Sequence, residues 1–68
     1  MDKFIIMPEG GKWTEREAGN ARAAYCLECS WIDPSTRTAV FNTTDGRAHI
    51  FTRDLDPAGN LIQVNELN

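Results

Sequence analysis

Two short segments constrain this chain more than anything else in it: Thr43-Thr44-Asp45-Gly46 and Asp56-Pro57-Ala58-Gly59. Each ends in glycine after residues that favour a type I turn, the signature of a hairpin loop whose last residue needs positive φ. Pro57 strengthens the second, because its ring presets φ for the first central position of the turn. The flanking segments 37–43, 47–55 and 60–66 alternate or run apolar, and they read as three strands of an antiparallel meander.

A three-residue loop sets a register. Thr43 is expected opposite Arg47, Phe41 opposite His49 and Ala39 opposite Phe51. In the second hairpin Asp56 is expected opposite Asn60, Leu55 opposite Leu61 and Thr52 opposite Val64. Side chains alternate along a strand, so one face would carry Val40, Ala48, Ile50, Thr52, Ile62 and Val64. The other would carry Ala39, Phe41, His49, Phe51, Leu55 and Leu61. Both are apolar, whereas a meander wetted on one side alternates apolar with polar.

The first half of the chain supplies less to cover them. Residues 3–7 read as a short strand ended by Pro8 and the Gly10-Gly11 pair. Thr14-Glu15-Arg16-Glu17 fits a capping box, in which Thr14 and Glu17 satisfy one another's backbone N–H groups. Ala18, Ala21, Tyr25, Cys29 and Ile32 follow at helical spacing, and Asp33-Pro34 stops the pattern. The spacing predicts a helix from about 15 to 28–31, weakened early by Gly19. The predicted architecture is α+β in one domain over residues 1–68: a short strand, one helix and a three-stranded meander, in the order β-α-β-β-β.

Size sharpens the covering problem. A folded chain of 68 residues buries only about 60% of its unfolded surface, so a metal, a partner or a second copy commonly completes the core. Phe41, His49, Phe51, Leu55 and Leu61 form the expected partner-binding face, since aromatics are enriched in interface cores. The competing reading folds the first strand, the Trp13 region or the tail over that face. Trp13 and Trp31 bracket the predicted helix and are read as anchors of its ends.

Charge narrows the partner. Seven Lys/Arg against ten Asp/Glu leave a formal charge of −3, and the cations are scattered. Direct nucleic-acid binding needs a basic patch that releases counterions, and none is present. The longest apolar run, Phe4-Ile5-Ile6-Met7, falls far short of the ~20 residues of a membrane span. No secretory leader is legible, so the expected compartment is the cytoplasm, with both cysteines reduced. Asp45, Asp54 and Asp56 cluster near the turns and are candidate contacts to a basic protein, such as a surface of a nucleic-acid-handling complex.

Cys26-Leu27-Glu28-Cys29 is the one spacing with metal-site character. Thiolates two residues apart can clamp zinc, but a closed site needs four ligands. His49 is the only histidine. Cys26, Cys29 and His49 therefore leave the set incomplete unless two chains share one ion. The alternative function is thus a small zinc-stabilised module, dimeric through the Cys26/Cys29 pair. Against it stands the packing reading, in which the cysteines at i and i+3 are small hydrophobes beside Tyr25. His49 lacks any partner placed by the sequence that would make it a general base, and no catalytic residue is expected. The expected function is non-catalytic protein binding, with homodimerisation as a further use of the apolar face. In size, acidity and single-domain form the chain resembles the small inhibitors that viruses and mobile elements encode against host machinery, anti-CRISPR proteins among them. That resemblance implies action in a host cytoplasm by steric occlusion of a partner's surface.

Overall fold

The computed structural model describes residues 1–67. Its elements are β1 (Asp2–Pro8), β2 (Thr14–Ala18), α1 (Ala21–Glu28), a 3-10 turn (Cys29–Trp31), β3 (Thr38–Asn42), β4 (Ala48–Leu55) and β5 (Leu61–Glu66). The strands form a single antiparallel sheet in the order β2-β1-β3-β4-β5. The class is α+β as expected, with five strands rather than four.

The added strand replaces the first part of the predicted helix. Residues 14–18 pair with β1 from Ile6↔Thr14 to Asp2↔Ala18, and the capping box at Thr14 does not form. Backbone accounting explains this: β1 is an apolar strand, and without β2 one whole edge of it would carry unpaired N–H and C=O groups. The helix starts instead at Asn20. It is extended (φ −157°, ψ 171°), and its side-chain oxygen accepts the Ala23 N–H, satisfying one of the free donors of the first turn. The Gly19-Asn20 pair is therefore the boundary between strand and helix.

Ala21, Ala24 and Tyr25 form the buried stripe of α1, with Ala18 and Ile32 at its two ends. An isolated helix of eight residues is unstable in water, so this stripe holds it. It packs on Phe4, Ile6, Val40 and Phe51, alternate residues of three neighbouring strands. The Tyr25 and Phe51 rings stack at 5.3 Å. Arg53 ties the same region, donating from Nη1 to the Tyr25 hydroxyl (3.2 Å) and from Nη2 to the Ile32 carbonyl (2.7 Å). Burial raises the Tyr25 pKa, and Arg53 partly offsets the rise.

Both hairpins depart from the expected register by one residue. Between β3 and β4, Phe41 faces Ala48, Val40 faces His49, Ala39 faces Ile50 and Thr38 faces Phe51. Asn42 anchors the shifted loop: its Oδ1 accepts the Thr44 N–H (2.8 Å) and the Asp45 N–H (3.4 Å). Its backbone closes the loop against Arg47 and Gly46. The loop thus begins one residue early and holds residues 43–46, with Gly46 at φ +74°. Between β4 and β5 the expected three-residue turn forms, with the Asp56 N–H donating to the Asn60 carbonyl and Gly59 at φ +89°. Leu55 faces Leu61 as expected, but an irregularity at Asp54/Leu55 inserts one residue, and Thr52 faces Asn65 while Val64 faces Arg53.

Candidate functional site

The registers decide which side chains share a face. On the helix side lie Phe4, Ile6, Val40, Phe51 and Arg53. The other side carries Ile5, Met7, Ala39, Phe41 and Ile50, and α1 does not reach it. Ile5↔Phe41 and Phe41↔Ala48 place Ile5, Phe41 and Ala48 in one row across the sheet. Met7↔Ala39 and Ala39↔Ile50 make the next row. That second row continues at both ends. Leu67 donates its N–H to the Ile50 carbonyl (2.7 Å) and carries the β5 alternation onward. At the opposite end, Thr14, Arg16 and Ala18 belong to the helix side, where Arg16 meets Glu28 and Ala18 is buried. Glu15 and Glu17 therefore alternate onto the open face, and Trp13, directly before β2, continues that alternation one step beyond the Ile6↔Thr14 pair.

The result is an apolar band across β1, β3 and β4, flanked by Trp13 just before β2 and Leu67 just after β5. Its central members are half-buried against one another, while Trp13 is 67% exposed. Polar rows bound it on either side. Lys3 and Glu17 are cross-strand partners next to Ile5 and Glu15. Glu9 and Arg37 are joined by a backbone hydrogen bond beyond Met7 and Ala39, and Thr52 and Asn65 are bonded through their side chains. An apolar centre with a charged rim is the anatomy of a protein interface.

Of the expected partner-binding residues, only Phe41 lies on this band. His49 and Phe51 lie on the helix side, because the Asn42-initiated loop shifts β4 by one residue and so turns its side chains over. Leu55 and Leu61 pair at the β4–β5 hairpin, away from the band's centre. The sheet edges are poor templates for added strands: β2 carries Glu15, Arg16 and Glu17 in a row, and β5 is interrupted beside Ile62.

The three acids serve local roles. Asp45 accepts the Arg47 N–H (2.9 Å). Asp56 accepts from the Asn60 and Ala58 N–H groups, and the Asn60 bond foremost holds its carboxyl below the usual range. Asp54 accepts from Gln63 on the open face, at the end of β4 (3.1 Å).

Cys26 is exposed on α1, and Cys29 packs against the core and donates its S–H to the Cys26 carbonyl (3.5 Å). Partial burial and the neighbouring Cys29 push the Cys26 thiol up, which disfavours the thiolate that metal and redox chemistry both use. Among the described residues, no three or more His, Cys, Asp or Glu side chains are grouped to hold a metal, so His49 does not join the cysteines.

Two arrangements were not legible beforehand. Glu28, inside the cysteine spacing, is buried and accepts from Arg16 Nε (2.7 Å) and Trp31 Nε1 (2.6 Å). His49 acquires a carboxylate partner, with Nδ1 lying 2.8 Å from Glu66 Oε2. That pair borders a cleft of about 430 Å³ at the start of α1, above Phe4 and Phe51. Among the described residues, its lining contains no Ser, Thr or Cys. Among the described residues no helix is long and apolar enough to cross a membrane. Comparisons with protein-family models, curated proteins and solved structures give no match.

Proposed function

We propose that this chain is a non-catalytic protein-binding module that docks through the band of Ile5, Met7, Trp13, Ala39, Phe41 and Ile50. It would act by occluding its partner's surface, in the manner of small inhibitors encoded by viruses and mobile elements. The observation that carries this reading is the apolar band itself, which crosses the three central strands with no element of the described residues over it. Trp13 at its margin supports it, since tryptophan is among the residues that dominate interface energetics. Four carboxylates on this face (Glu9, Glu15, Glu17, Asp54) outnumber two cations (Lys3, Arg37). A partner with a basic rim around an apolar centre is the complement.

The test is capture of a partner, its purification, and calorimetric titration with wild type, Trp13→Ala and Phe41→Ser. Each variant is expected to weaken binding at least about tenfold, the range of an interface hot spot. Unchanged affinity in both variants, each folded by circular dichroism, would show that the partner docks elsewhere.

A further inference from the structure

Resting on the reading of the band as an interface, we infer that in the absence of a partner the open face is covered by a second copy of this chain, packed sheet to sheet about a two-fold axis. The face as a whole is net acidic, which keeps such pairing weak, but its β1 strip is complementary to itself. Along β1 it presents Lys3, Ile5 and Met7, and just past the strand Glu9, whose N–H bonds the Arg37 carbonyl, so a cation and an acid stand at opposite ends of two apolar residues. A two-fold axis lying in the interface, perpendicular to the strands and between the two apolar rows, reverses that order in the facing copy. Lys3 then meets Glu9 of the second copy, and Ile5 meets its Met7.

Size complementarity follows from the same axis. Ala39 and Phe41 are two residues apart on β3, so the axis sets the small side chain of each copy against the large one of the other. Ala48 and Ile50 on β4 behave alike. Alternating large and small residues across facing layers is what lets two sheets interdigitate at ~10 Å separation. Such a contact is isologous and closes on itself, giving a dimer and no longer polymer.

Area sets the terms. Five strands at ~4.8 Å, with four rows of open-face residues at ~6.8 Å, span about 650 Å² per copy. The pair would bury about 1,300 Å², at the lower end of the ~1,200–2,000 Å² of specific interfaces. The two apolar rows alone supply half of that, so the flanking Lys3–Glu9 contacts are needed. The association is accordingly concentration-dependent, and a partner that offers a larger surface displaces it. Self-pairing thereby regulates access to the same face.

Sedimentation equilibrium of the full chain from about 10 µM to about 1 mM, a span that brackets weak association, reads this directly. The mass is expected to rise from 7.6 kDa toward twice that value. Trp13→Ala and Phe41→Ser are each expected to move the transition to at least about tenfold higher concentration. Lys3→Glu and Glu9→Lys are each expected to weaken it, and the double exchange to restore it, because the pair is re-formed with its signs reversed. A chain that stays at monomer mass throughout overturns self-pairing, and the titration with a captured partner still decides the binding reading. A dimer indifferent to Trp13→Ala, Phe41→Ser and the charge exchange overturns self-pairing through the band.

Discussion

Removing a carboxylate from water costs several kcal/mol unless hydrogen bonds replace the lost hydration. Glu28, only 7% exposed, meets that condition through Arg16 from β2 and the Trp31 indole from the 3-10 turn. The Arg16 hydrogen bond first and the Trp31 bond second hold its carboxyl below the ordinary value of 4.5. A carboxyl depressed on folding contributes stability that is complete above its unfolded value and is lost as pH falls through the folded one. Glu28→Gln is therefore expected to destabilise the protein by about 1–3 kcal/mol near neutrality, the usual effect of unmaking buried hydrogen bonds to a charge. Urea unfolding at neutral pH and again well into the acid range checks this. The gap between variant and wild type should shrink in acid, and a constant gap would count against the charge as its source. The sequence draws attention to Cys26 and Cys29, and Glu28, one of the two residues between them, carries the interaction. Its partner Arg16 is twelve positions away and meets it only because β2 is a strand, which the capping box at Thr14 argued against.

At the scale of elements, two asparagines set boundaries that local rules misplace. Asn20 begins the helix at a point that the local spacing places inside it, next to Gly19. Asn42 begins the β3–β4 loop one residue before the turn pattern suggests, and its Nδ2 also donates to Asp2 (2.9 Å). Asn42→Ala is expected to cost about 0.5–1.5 kcal/mol, since it unmakes the partly buried hydrogen bonds of the Asn42 side chain to Asp2, Thr44 and Asp45. Nuclear Overhauser contacts between Phe41 and Ala48 should nevertheless persist in that variant. The native register is held from the core side as well, because slipping β4 by one residue would carry Phe51 away from Tyr25 and Arg53 away from the Ile32 carbonyl. Contacts between Phe41 and His49 would instead show that Asn42 alone holds the register. Those tertiary bonds explain what was and was not legible. The meander, the glycines of both turns and the Ala21–Tyr25 stripe follow from local pattern. The face on which Phe41, His49 and Phe51 lie depends on one residue of register, which loop chemistry and core packing decide together. Trp13 had no such signal, because residues 13–18 (Trp-Thr-Glu-Arg-Glu-Ala) show no apolar–polar alternation and the capping box points to a helix.

For the whole molecule, size alone suggested that a staple was needed. The folded surface is 4406 Å², against about 4,300 Å² expected for an ordinary monomer of this mass. The radius of gyration is 11.3 Å, close to the ~11 Å of a compact domain of this length. The fifth strand is the reason, since it closes the open edge of β1 and brings Arg16 to Glu28. Stability is therefore expected to be independent of metal. Thermal unfolding with and without a strong chelator should give the same midpoint, and elemental analysis should find no stoichiometric zinc. A large chelator-induced drop with one zinc per two chains would instead favour the shared Cys26/Cys29 site.

The placement of the two tryptophans has an optical consequence. The Trp13 indole is largely in water on the open face, whereas the Trp31 indole is anchored to Glu28 on the helix side. Emission from the first reports occupancy of the band, and emission from the second reports integrity of the β2–helix junction. A pair of single-tryptophan proteins, Trp31→Phe and Trp13→Phe, thus supplies separate intrinsic signals for binding and for unfolding, without any attached dye.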